Sequence, residues 1–186
     1  MAQEEALCYR SSLYLSLHKR YYPFRHLTGV YSPDVVVIRG DYANGHKLYL
    51  ADPGVKEEDL PVFSVLSVAA ICRPETKRVA LAGQSQAKAT TEEVFAKESD
   101  KKLTKDKMRI CLRMAAARGH SLVVLGALGC GAFRNPPREV ARLWAEVLGE
   151  AEFAGGWWRE IVFAVLDTRR EGNLEVFEEV LDGLEV

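Results

Sequence analysis

The chain has 186 residues, of which 48% are hydrophobic and 27% charged, with a formal net charge of -1. That length accommodates one domain with a full-sized core over residues 1–186, and the composition excludes a disordered chain. No basic stripe marks a nucleic-acid groove, and no apolar run is long enough to span a membrane.

In chain order, residues 4–22 read as a helix, with Leu13, Leu17 and Tyr21 about one turn apart. Pro23 to Pro33 reads as a loop, Asp34 to Ile38 as a strand, and Asn44-Gly45 as a hairpin-like turn before Leu48-Tyr49-Leu50. Val62 to Ile71 reads as a buried strand, and residues 74–99 as a polar surface excursion with some helix. Lys101 to Arg118 is an amphipathic helix stopped by Gly119. Its basic run, Lys101 to Lys107, reads as a solvated face opposite Leu103, Ile110, Cys111 and Met114. Ser121 to Leu125 reads as a strand buried on both faces. Pro136 and Pro137 then open a helix that buries Val140, Leu143, Trp144 and Val147. Glu160 to Leu166 is a strand, and a last helix begins near Asn173 as N-cap, burying Phe177, Val180, Leu181 and Leu184. This order predicts an α/β fold, a mostly parallel or mixed sheet with helices on both faces.

The four cysteines form no CxxC pair, and the four histidines lack ligand spacing, so no zinc site is expected. Cys8, Cys72 and Cys111 read as inert core residues. With no signal peptide, the expected compartment is reducing and intracellular, cytoplasmic or nuclear.

The chemistry concentrates in GALGCGAFRNPP, residues 126–137, where a strand hands over to a helix and backbone N–H groups are suited to anions. A Walker A loop fails because Ala132 and Phe133 stand where Lys and Ser/Thr are needed. A dinucleotide fingerprint is weak, because Arg134 stands at its third glycine position and Asp167 lies too far on to be its ribose acid. What remains is a loop that holds a diphosphate without cleaving it, or else a plain tight glycine turn. Cys130 reads as a small loop residue rather than a nucleophile, since no histidine can be assigned as its base. At the other end, Gln3-Glu4-Glu5 opens a helix. Acidic residues there complement the helix dipole. Two adjacent carboxylates also disfavour each other's charge, as a general acid near neutral pH requires.

The segments AQEEALCYRSSLYLSL, YSPDVVVIRGD, FSVLSVAAI, KDKMRICLRMAA, LVVLGALGCGAFRNPPREVARLW, GGWWREIVFAVLD and GNLEVFEEVL together resemble the microbial-type poly(ADP-ribose) glycohydrolase family. The similarity covers nearly the whole chain in order. It implies a macrodomain-like three-layer α/β fold and ADP-ribose as ligand. By the same resemblance Glu5 is the catalytic acid and Glu4 positions the scissile ribose. Gly129, Cys130, Gly131, Ala132 and Phe133 wrap the diphosphate with backbone N–H groups, and Phe133 packs against the ribose. Gln3, Gly126 and Asn135 complete the candidate ligand-binding set. The expected partners are ADP-ribose, poly(ADP-ribose) or ADP-ribosylated protein, with no metal, no organic cofactor, no nucleic acid and no membrane. The family's first strand and a glycine-rich loop precede QEE, whereas this chain starts at Met1-Ala2. A second reading follows from that departure: an ADP-ribose reader that binds without turnover. A nucleotide-dependent oxidoreductase is a third and weaker reading. Phe163 and Asp167 are the candidates for the adenine side.

Overall fold

The computed structural model describes residues 3–80, 91–167 and 171–186. The residues group into two compact units, Met1–Val68 and Ala69–Val186.

The first unit opens with helix α1, Gln3–Arg10. The sequence pattern predicts helix through residue 22, but regular helix stops at Arg10 and gives way to 3-10 turns at Ser12–Leu15 and Lys19–Tyr21. Serines end it. The Ser11 hydroxyl donates to the Leu7 carbonyl and accepts from the Leu13 N–H, diverting the backbone from its helical ladder. Ser11 is extended (φ -145°, ψ 175°) and bridges Val37, while the N–H groups of Ile38 and Arg39 donate to the Arg10 carbonyl. Strand β1, Gly29–Val36, pairs antiparallel with β2, Val62–Val68. The register slips between Ser32 and Val35, where Pro33 has no N–H to give and Asp34 takes a left-handed φ of 51°. β1 therefore begins inside the segment expected as loop. The core of this unit is Leu13, Val35 and Val65, with Leu7, Cys8 and Leu17 packed against it. β2 is not buried throughout, since Val62 and Phe63 are exposed. The expected turn is present: the His46 N–H donates to the Asp41 carbonyl, and Gly45 has φ 66°.

The second unit contains β3, Thr76–Ala80, and β4, Thr91–Phe95, an antiparallel pair in the stretch expected as excursion with some helix. Helix begins only at Glu98, and residues 81–90 of that stretch lie outside the described residues. Helix α2, Glu98–Ala117, is capped by Gly119 at φ 72°, with the His120 N–H returning to the Ala115 carbonyl. Its buried stripe is Thr104, Lys107, Met108, Cys111, Leu112 and Ala115, so the sequence pattern misjudged the face by part of a turn. The basic run is not simply solvated. Lys105 and Arg109 pair with Glu150, Lys101 with Glu139, and Lys107 is buried.

Strand β5, Leu122–Leu125, runs parallel to β6, Glu160–Phe163, in register Leu122↔Glu160 to Leu125↔Phe163. Helix α3, Pro137–Leu148, lies between them in sequence and buries Val140, Leu143, Trp144 and Val147 as its spacing predicts. The strand is buried on one face only: Val123 and Leu125 are inside, whereas Leu122 and Val124 are exposed. On the covered face Phe163 meets Trp144 of α3 and Phe177 of α4, Asn173–Leu181. α4 starts on Asn173 rather than being capped by it. The Asp167 carboxylate accepts from the N–H groups of Glu171 and Asn173 and serves as the cap, while Leu184 is exposed. The described strands thus form a mixed α/β fold as three two-stranded sheets, two antiparallel and one parallel, with no closed barrel.

Among the described residues, no helix is long and apolar enough to cross a membrane, and no group of three or more His, Cys, Asp or Glu is arranged to hold a metal ion.

Candidate functional site

In the first unit, Gln3, Glu4 and Glu5 form the exposed first turn of α1. Glu4 is held: its carboxylate accepts a hydrogen bond of 2.9 Å from the Tyr22 hydroxyl. Burial, and next the hydrogen bond to Glu4, push the Tyr22 phenol up to about 12, so it stays a donor through the neutral range. Cys8 lies one turn beyond Glu4 on the same helix, and burial together with the Glu4 charge raises its thiol. Nothing in residue spacing marks Tyr22, which is 18 residues away in an irregular segment.

In the second unit, residues 126–135 fold as two turns in succession. The Cys130 N–H donates to the Ala127 carbonyl and the Arg134 N–H to the Gly131 carbonyl, each at 3.0 Å. Gly129 (φ 76°) and Arg134 (φ 54°) supply the left-handed residues that the path requires. Beneath the turns lies Asn135, only 2% exposed. Its amide nitrogen donates to the carbonyls of Ile71 at 2.7 Å, Gly129 at 3.2 Å and Phe133 at 3.4 Å. Its own N–H returns to the Gly129 carbonyl at 3.0 Å, and the Arg73 N–H donates to Phe133 at 2.9 Å. The sequence offered Asn135 as a ligand contact; in the structure its amide nitrogen is spent pinning the loop.

This pinning leaves one part of the loop uncommitted. Gly131, Ala132 and Phe133 are exposed in sequence, and among the described residues none accepts a hydrogen bond from their three N–H groups. A side chain built on Gly131 would meet nothing within 4 Å. Consecutive exposed N–H groups with no internal acceptor are suited to phosphate oxygens. Gly126 lies before the turns, partly buried, and Phe133 keeps its ring 38% exposed beyond them.

Cys130 is buried at 6% exposure, and that burial pushes its thiol up to about 12, away from the thiolate form a nucleophile needs. Cys130→Ala is therefore expected to leave ADP-ribose affinity and turnover within about twofold, measured by calorimetry and by product release. Cys72, expected inside, is exposed. The adenine candidates fare differently from the loop. Phe163 is packed between Trp144 and Phe177, and the Asp167 carboxylate is occupied with the start of α4.

No protein-family model matches the chain, and no curated protein matches it. Solved structures do. A poly(ADP-ribose) glycohydrolase from Deinococcus radiodurans in complex with ADP-ribose matches with a TM-score of 0.71 and 28% identity, over 97% of this chain and 67% of its own. The enzyme of that name from Thermomonospora curvata matches with a TM-score of 0.71 and 28% identity, over 96% of this chain and 60% of its own. A further structure from Thermomonospora curvata, bound to the inhibitor ADP-HPD, has the same TM-score and identity and is covered over 62% of its length. Over nearly its whole length the chain is thus similar in fold and sequence to poly(ADP-ribose) glycohydrolase structures from two organisms. Its two units together correspond to about two thirds or somewhat less of these glycohydrolase chains. Asn135 with its three carbonyl partners gives the local reason that the glycine-rich turns following β5 fold in this way.

Proposed function

We propose that the chain binds ADP-ribose and hydrolyses the ribose glycosidic bond of poly(ADP-ribose) or ADP-ribosylated protein, by general acid/base catalysis at Glu5. The observation that carries this reading is the run of three uncommitted N–H groups at Gly131, Ala132 and Phe133, the first of them a glycine with open space around it. Backbone donors fixed before the ligand arrives need no reorganisation, and they suit a diphosphate that is gripped rather than broken. The similarity to glycohydrolase structures in complex with ADP-ribose supports the choice of ligand.

The chemistry uses side chains and water alone. Glu5 in its acid form gives its proton to the oxygen leaving the anomeric carbon, as the C–O bond breaks through an oxocarbenium-like state. The resulting carboxylate takes a proton from the incoming water as the new C–O bond forms, which restores the acid. Glu4 positions the ribose. The N–H groups of Gly131, Ala132 and Phe133 hold the diphosphate, Gly129 and Cys130 shape the turn that presents them, and the Phe133 ring packs on the adjoining ribose.

Calorimetric titration with ADP-ribose, with a chelator present, tests the ligand assignment. Binding is expected between the low micromolar and millimolar range, about -4 to -8 kcal/mol. Clear binding of NADP with no heat from ADP-ribose would refute it.

A further inference from the structure

We propose that Tyr22 is a positioning residue for ligand binding, setting the direction of the Glu4 carboxylate through its hydroxyl. The proposal rests on the ADP-ribose reading given above and adds a residue to it.

Glu4 stands in the exposed first turn of a helix of eight residues, with no buried neighbour in that helix to choose its rotamer. A glutamate in such a place samples many side-chain orientations, and only some of them present a carboxylate oxygen to a sugar hydroxyl. The contact from Tyr22 removes much of that freedom. One oxygen, Oε2, accepts the phenol proton at 2.9 Å, which leaves Oε1 for a ligand donor. Tyr22 is itself fixed from two sides. Its N–H donates to the Lys19 carbonyl at 3.1 Å, and its ring lies on that of Phe24, with centroids 4.9 Å apart and planes 31° from parallel. Tyr22 therefore links the end of the Lys19–Tyr21 turn to the start of α1, across 18 residues. The raised phenol keeps the proton in place, so the donor persists over the range in which the protein is assayed.

A hydrogen bond this exposed adds little to folding, so its removal has a local effect on Glu4.

The test is a double-mutant cycle on the intact chain, read by ADP-ribose calorimetry and thermal melts. Tyr22→Phe keeps the ring on Phe24 and deletes only the donor. It is expected to weaken ADP-ribose binding three- to tenfold, to raise KM by a similar factor, to lower kcat less than Glu4→Gln does, and to leave the melting temperature nearly unchanged. In a Glu4→Ala background the same substitution should change affinity less than twofold, because its target is gone. Unchanged affinity of Tyr22→Phe in the parent chain, or equal loss in both backgrounds, would overturn the proposal while ADP-ribose binding by the parent still stood. No ADP-ribose binding by the parent would remove the ligand reading and this proposal together.

Discussion

Gly131→Val is expected to eliminate measurable ADP-ribose binding while the protein remains folded. The position has no left-handed φ, and a Cβ there meets no protein atom within 4 Å, so the substitution costs the fold little. The branched side chain instead fills the space through which a diphosphate must approach the N–H groups of Gly131, Ala132 and Phe133. Hydrogen bonds to a charged acceptor contribute about 1.5–3 kcal/mol each, so losing two weakens binding by more than about a hundredfold. Gly129→Ala is the contrasting control. A Cβ there would lie 2.7 Å from Ala70 Cβ and 2.8 Å from Asn135 Cγ, at a backbone φ of 76°. That change forces the buried Asn135 out of its hydrogen bonds, and it should lower the melting temperature as well as binding. Melts and calorimetry on the two variants separate a blocked ligand from a damaged loop. Valine at 131 that leaves affinity intact would mean that the diphosphate lies elsewhere.

Glu5→Gln is expected to slow turnover by about a hundredfold to ten-thousandfold, the usual range for a positioned general acid, or about 3–5 kcal/mol of barrier. Affinity for ADP-ribose should change little, because the amide keeps the shape of the acid and cannot transfer its proton. Glu4→Gln should behave differently, lowering both rate and affinity, since its work is on the ribose. Steady-state kinetics beside calorimetry on the two variants distinguish a residue acting in the transition state from one acting in the ground state.

The elements legible in the sequence were those whose periodicity is set by a core of their own. α3 declared itself through Val140, Leu143, Trp144 and Val147, and the stop of α2 through Gly119. Elements held by polar contacts were misread. The early end of α1 depends on Ser11 bonding its own backbone and on a bridge to Val37, a partner far along the chain. The β3–β4 pair carries Lys77, Arg78, Glu92 and Glu93, and its ladder rather than an apolar face holds it, so no hydrophobic alternation announced it. β5 looked doubly buried because Leu122 and Val124 are apolar, yet both are exposed. At the candidate site, the glycine loop and the acidic pair were visible as residue types in a suggestive order. The division of labour inside the loop was not. The Asn135 side chain is buried, and its amide nitrogen donates to backbone carbonyls, which residue type and order do not announce. Tyr22 was missed because its tie to Glu4 is made by folding and not by spacing.

The proposed hydrolysis by Glu5 has a direct test. The most direct measurement is the time course of ADP-ribose release from poly(ADP-ribosyl)ated protein, with chelator present, by the parent chain and by Glu5→Gln at equal concentration. The account predicts steady release by the parent and, from Glu5→Gln, no more than about one hundredth of that rate. Equal release by the two would contradict the role of Glu5, and binding without any release by the parent would make the chain an ADP-ribose reader instead of a hydrolase.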